Sequence, residues 1–265
     1  PEIGLLNALG SEEYLHKVPV IAGSNKDEIK LWIGFSEYFL KSEENISSVL
    51  TGIPKIIIRD KEKYEFYSSI RAKGWQLRGV QEPLENIFKA GNKNVYAYRF
   101  DWDDEPKFLG MDFSKLLGAA HALEIGFVFN SPEIIDGQES GLSDILYKKE
   151  NAIFDKNLSI SMSQYWVNFA YDGNPNSNPY PLEVNWDHWE NKINERFIIF
   201  DTENDQGLRM NNAILSEDSI LQNLSSENLS IEQKCIIFDD LFDRTTLLKE
   251  VVSSLYDRFL HGKCV

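Results

Sequence analysis

Gly118-Ala119-Ala120-His121-Ala122-Leu123-Glu124-Ile125-Gly126-Phe127-Val128-Phe129 comes soon after Asn94-Val95-Tyr96-Ala97-Tyr98-Arg99-Phe100-Asp101-Trp102. The earlier run, rich in aromatic and β-branched residues, reads as a strand. A histidine in a small-residue loop just beyond such a strand is held at the edge of a sheet, open to a cleft. An imidazole there suits proton transfer around neutrality.

Taken alone, a histidine beside apolar residues is ordinarily a packing residue. A second stretch upstream changes the balance. Val18-Pro19-Val20-Ile21-Ala22-Gly23 is short, apolar and β-branched, consistent with a buried parallel strand. The turn cluster Gly23-Ser24-Asn25-Lys26-Asp27-Glu28 then places Glu28 about five residues past it. Two strands, each followed at its C-terminal end by one ionisable group, is how an open α/β sheet builds a site. Glu28 would hold the His121 imidazole in one tautomer and stabilise its cationic form.

The rest of the composition narrows the function. At 265 residues the chain can bury a sizeable core, and 42% hydrophobic with 26% charged residues is ordinary for a globular protein. No apolar run approaches the ~20 residues a membrane helix needs. A net charge of −15 argues against nucleic acid, whose phosphates need basic patches, and against an anionic membrane surface. A neutral or cationic small molecule is easier to attract. Cys235 and Cys264 do not form a disulfide scaffold, and whether they pair is open. No Cys/His cluster suggests a metal, and no cofactor is expected. The sequons at Asn45, Asn157, Asn223 and Asn228 are adequately explained by a chain rich in Asn and Ser. The chain opens at Pro1 without an initiator Met or signal-peptide pattern, so it is expected to be a piece of something longer. The acidic balance and few cysteines lean towards a cytoplasmic protein, with secretion the alternative.

Between the two strands, from about Lys30 to Gly91, the pattern is mainly helical, with an amphipathic stretch from about Ser69 to Ala90 that stops at Gly91. A helix is expected from about Asp144 to Asp172, halted by Gly173-Asn174-Pro175-Asn176. Arg196-Phe197-Ile198-Ile199-Phe200-Asp201 reads as a strand, and a helix from about Ile231 to the end. No internal repeat or low-complexity tract divides the chain.

These residues carry a family resemblance. Val18–Glu28 resembles the acid-bearing segment of type-B carboxylesterases and cholinesterases, a branch of the α/β-hydrolase superfamily. Gly118–Phe129 is similar to that family's histidine loop, with its His-x-x-Glu and trailing Phe-Val-Phe. Tyr165-Trp166-Val167-Asn168-Phe169-Ala170 with its Gly-Asn-Pro-Asn stop matches the family's helix, and Cys235-Ile236-Ile237-Phe238 its C-terminal helix. The resemblance implies an α/β-hydrolase fold, a mostly parallel sheet flanked by helices, of which residues 1–265 are the C-terminal portion. It implies Glu28 as triad acid and His121 as general base. Glu124 would orient the loop from a buried position and Asp27 would serve the turn. Trp32 and Phe35, close behind the acid, could line an acyl or alcohol pocket, though aromatic residues at that spacing are at least as often core. His16, His188 and His261 are read as surface or packing residues. Two positions depart from the family pattern: Ile29 stands where a Gly usually follows the acid, and Gly126 where a Pro usually precedes Phe-Val-Phe.

The nucleophile is missing from this scheme. A G-x-S-x-G elbow needs two glycines four apart with Ser midway. Gly137 and Gly141 have the spacing but enclose Glu139, and Gly141-Leu142-Ser143-Asp144-Ile145 lacks the second glycine. No HGGG-like oxyanion segment is present either. In the family both lie in the N-terminal half, so the nucleophile is expected upstream, in a preceding segment or a companion chain, and this chain alone is expected to be inert. Two functions are then in view: a serine carboxylesterase acting on small-molecule esters through an acyl-enzyme, and a non-catalytic cholinesterase-like binding or adhesion protein. The persistence of both Glu28 and His121 favours the first.

Overall fold

The computed structural model describes residues 4–13, 17–45, 49, 52, 54–132, 147, 150–177, 182–190 and 196–241. The possible elbow residues Gly137 to Ile145, together with His16, His261 and Cys264, lie outside them.

The expected strands form three adjacent members of a four-stranded sheet. Strand β1 (Val20–Asn25) pairs in parallel with β4 (Val95–Phe100), which pairs in parallel with β7 (Phe197–Phe200). The outer strand β8 (Arg209–Asn211) runs antiparallel to β7, giving the order β1-β4-β7-β8. A mostly parallel sheet must be covered on both faces, so its strands read as nearly continuous apolar runs. The two-residue alternation then divides each strand between two cores. Val95, Ala97, Phe197 and Ile199 pack on one face with Val80, Leu84, Ile87 and Trp189. Tyr96, Phe100, Ile198 and Phe200 pack on the other with Leu158, Met162, Tyr165 and Trp186. Trp186, Phe100 and Phe200 are fully buried, and each such side chain contributes roughly 2–3 kcal/mol through burial.

Beyond a later start for the helix expected from about Asp144, which begins at Ala152 with Tyr147, Glu150 and Asn151 outside it, the helices follow from the sequence pattern with three differences. First, the stretch after Lys30 contains an antiparallel hairpin, β2 (Leu40–Glu43) with β3 (Lys55–Ile58). The run Ile56-Ile57-Ile58 explains it, because three β-branched residues in succession suit a pleated strand better than a helix. Second, the long helix is in two registers. Helix α3 (Lys61–Gln76) passes through a π-helical turn at Leu77–Gln81 into α4 (Glu82–Lys89). Pro83 has no amide to donate, and the wider turn just before it absorbs that break. Third, an additional helix α8 (Glu217–Ser226) lies where the pattern shows only polar chain, started by a Ser216–Ser219 capping box. Its Ile220, Leu221 and Leu224 join Ile70 and Leu77 and, from α9 (Ile231–Leu241), Ile237, Phe238 and Leu241.

Helix α7 (Ala152–Asp172) stops as expected at Gly173, whose φ of 69° is left-handed and whose amide bonds the Phe169 carbonyl at 2.8 Å. Two short segments complete the frame of the site. The turn α2 (Lys30–Ile33) follows β1, and after a small hairpin (β5, Lys107–Phe108; β6, Met111–Asp112) come α5 (Phe113–Leu116) and α6 (Leu123–Val128). Among the described residues no helix is long and apolar enough to cross a membrane.

Candidate active site

Strands β1 and β4 are in register from Val20↔Val95 to Asn25↔Phe100, so both end at the same edge of the sheet. The chain leaving β1 is fixed by two backbone bonds: Lys26 N–H donates to the Phe100 carbonyl at 2.8 Å, and Asp27 N–H to the Ala119 carbonyl at 3.0 Å. The second bond ties the acid turn directly to the histidine loop. Within the turn, the Asn25 amide donates to Glu28 Oε1 at 2.8 Å. The other carboxylate oxygen, Oε2, is 2.7 Å from His121 Nδ1. The two residues are 93 positions apart in sequence, so their meeting depends on the sheet rather than on any local motif.

Their environments differ. Glu28 is buried, whereas the His121 side chain is 40% exposed. Burial pushes the Glu28 carboxyl above its ordinary value. The bonds from the Asn25 amide and from His121 oppose that push, and the nearby Glu124 adds to it. With Nδ1 turned to the carboxylate, the proton chemistry of the ring falls to Nε2.

The loop carrying His121 is held under constraint. Gly118 sits at φ 51°, and a Cβ there would collide with the Asp27 carboxylate. Ala122, immediately after His121, is also left-handed at φ 70°, a conformation that costs a non-glycine residue about 1–2 kcal/mol. Strain of this kind concentrates at functional sites. Asn25 Nδ2 holds the loop down by donating to the Ala120 carbonyl at 2.7 Å and to Glu124 Oε2 at 2.6 Å. Glu124 thus acts on the loop through Asn25, and the importance of Asn25 itself is not visible in the sequence. Asp27 does serve the turn: with Glu65 it forms ion pairs to the buried Lys30, at 3.1 and 3.0 Å.

The two departures from the family pattern are accommodated. Ile29 is buried with Ile33, Leu40, Tyr64, Met111 and Leu116 in a small core beneath the turn. At Gly126 an added Cβ would lie 3.0 Å from the Ser131 carbonyl oxygen, so the chain passes closely there.

Of the two aromatic candidates, Trp32 meets the site: its ring centroid is 4.8 Å from that of His121. Phe35 is 87% exposed. Trp75, on α3, was not anticipated, and its ring is 5.6 Å from His121 and 5.8 Å from Trp32. Its helical spacing gave it no distinction from a packing residue. His188 is elsewhere, 2.9 Å from the Tyr96 hydroxyl. Among the described residues no group of three or more His, Cys, Asp or Glu could hold a metal ion.

The model of the carboxylesterase family matches residues 76–218. The chain belongs to the carboxylesterase family. The matched stretch includes the His121 loop and stops short of Glu28 at its N-terminal side, so the pairing of Glu28 with His121 stands on geometry. This carboxylesterase-family chain is 32% identical over 105 residues to the para-nitrobenzyl esterase of Bacillus subtilis (strain 168), covering 40% of this chain and 18% of that protein. It is 39% identical over 64 residues to the carboxylesterase 4A of Bos taurus, covering 24% and 9%. With the bile salt-activated lipase of Bos taurus the identity is 30% over 98 residues, covering 37% and 14%. Among solved structures, carboxylesterase EST55 of Geobacillus stearothermophilus superposes with a TM-score of 0.50 at 18% identity, over 81% of this chain and 40% of that one. That likeness shows an α/β-hydrolase fold. The match spans less than a fifth of the length of each curated relative and two fifths of that structure.

Proposed function

We propose that this chain supplies the acid and the base of a Ser-His-Glu triad in a serine carboxylesterase. The nucleophilic serine and the oxyanion-binding amides would come from a preceding N-terminal half or a companion chain. The observation that carries the reading is the 2.7 Å contact between His121 Nδ1 and the buried Glu28 carboxylate. An ionisable pair in which the carboxylate is buried and the imidazole half-open is the arrangement a general base requires.

In the reaction, Nε2 of His121 takes the proton from the serine hydroxyl as its oxygen attacks the ester carbonyl carbon. The carbonyl π pair moves onto oxygen, and the resulting oxyanion is held by amide donors. His121, now an imidazolium facing Glu28, gives its proton to the departing alkoxide as the ester C–O bond breaks, leaving an acyl-enzyme. Water then repeats the sequence, releasing the acid and restoring the serine. The substrate class is a small-molecule carboxylic ester. On this reading residues 1–265 by themselves are inactive.

The test is turnover of p-nitrophenyl acetate by the native protein and by its His121→Gln variant. A fall of about 10³-fold or more in kcat, with the folded state intact, supports the reading. Unchanged turnover in the variant would remove His121 from the mechanism, and a native protein with no turnover would favour a non-catalytic binding or adhesion role.

A further inference from the structure

The site contains an aromatic arrangement that the triad does not account for. Trp32 lies on the turn directly behind Glu28, and Trp75 lies on α3, yet both rings converge on His121. The three centroid separations are 4.8 Å (Trp32–His121), 5.6 Å (Trp75–His121) and 5.8 Å (Trp32–Trp75). Trp32 meets the imidazole at 38° and Trp75 at 63°. Neither indole is a core residue, since Trp32 is 47% and Trp75 41% exposed. Burial therefore does not explain their position, and their shared neighbour is the functional ring. The backbone beside Trp75 is itself closely set: a Cβ on Gly74 would come 2.6 Å from Leu241 Cδ2, so α9 packs directly against this turn of α3.

We propose that Trp32 and Trp75 are positioning residues for His121, fixing the tilt of its ring during proton transfer. Among the described residues the imidazole's hydrogen-bond anchor is the Glu28 contact at Nδ1, and a single hydrogen bond leaves the ring free to tilt about that contact. Two indoles from different elements restrict it, which keeps Nε2 aimed at one place. This acts on the chemical step more than on substrate binding, and its catalytic consequence rests on the hydrolase reading above.

The experiment compares the native protein with Trp32→Leu, Trp75→Leu and Trp75→Phe in two ways. NMR relaxation measures the mobility of the His121 ring CH groups, which needs no turnover, and steady-state kinetics gives kcat and KM for p-nitrophenyl acetate. Each leucine variant should leave the ring more mobile, with a clearly lower order parameter. Each should also lower kcat by roughly 3- to 10-fold and leave KM within about twofold. Trp75→Phe should recover most of both effects. If Trp75→Leu unfolds, Trp32→Leu and Trp75→Phe still decide the matter. Folded leucine variants whose His121 ring is no more mobile than the parent's overturn the proposal. Greater mobility in a protein without esterase activity retains the positioning role and removes the hydrolase reading instead.

Discussion

Asn25 donates through its side-chain amide to Glu124 Oε2 at 2.6 Å, across 99 residues of sequence. The same nitrogen bonds the Ala120 carbonyl, and the Asn25 backbone amide bonds Glu28. One buried residue thus fixes both Glu28 and the loop that carries His121. Asn25→Ala should leave the buried Ala120 carbonyl and the part-buried Glu124 carboxylate short of a partner. A loss of roughly 1–3 kcal/mol in stability is expected, together with a fall in kcat larger than any rise in KM. Urea denaturation and steady-state kinetics on the same preparation check both.

Glu28→Gln should separate catalysis from stability. The amide has one acceptor oxygen for two donors, the Asn25 N–H and His121 Nδ1, so its NH2 group faces one of them; it cannot stabilise the imidazolium, and a loss of about 10⁴-fold in kcat is expected. Burial holds the Glu28 carboxyl above its ordinary value, so the proton is bound more tightly in the folded state. The stability this group contributes is full below the ordinary glutamate value and is lost as pH rises through the folded one. Glutamine removes that penalty but leaves one donor without its acceptor, so the two changes offset and the variant should melt within about 5 °C of the parent at neutral pH. A variant that is both inactive and strongly destabilised would contradict this.

Asp155 gives a second pH-dependent test, away from the site. Burial pushes its carboxyl up to about 6, against the bond that Trp102 Nε1 donates to it at 2.8 Å, and Asp104 adds to the rise. The sign is the same as for Glu28: stability is lost as pH rises between about 4 and 6. Asp155→Asn keeps an acceptor for the indole and removes the titration. Its melting temperature should vary less over that interval and exceed the parent's at pH 7, by an amount equivalent to no more than about 3 kcal/mol. A steeper pH dependence in the variant would refute the assignment.

The sheet edge supplies a prediction about the isolated chain. Among the described residues β1 pairs on one side only, with β4, and stands at the end of the sheet. An apolar strand with an open edge is a template for association. Residues 1–265 expressed alone should form soluble aggregates or precipitate, as seen by size-exclusion chromatography with light scattering. A monomer that melts cooperatively would show that no further strand is needed there.

Most of the sheet, and the placing of Glu28 and His121 just past strand ends, could be read from the sequence because each rests on a local signal. Val20-Ile21-Ala22 and Phe197-Ile198-Ile199-Phe200 are apolar runs too short for helices, and Glu28 and His121 each follow a strand. Gly173 marked the end of α7 for the same kind of reason, since its left-handed backbone is local. The features that escaped depend on tertiary contact. Trp75 looked like any aromatic on a helix until α3 was placed beside the acid turn, and Asn25 reads as a turn residue until the loop carrying Ala120 and Glu124 folds over it. Helix α8 escaped because its polar face dominates the composition, leaving Ile220, Leu221 and Leu224 as a narrow buried stripe.

The central claim is that His121 and Glu28 serve a serine supplied from outside this chain. Its most direct test is fluorophosphonate labelling of the native protein, with the modified peptide mapped by mass spectrometry. The account predicts a label on one serine in a Gly-x-Ser-x-Gly setting outside residues 1–265, and much slower labelling in the His121→Gln variant. No label on folded native protein, or a label on a serine within residues 1–265, would contradict it.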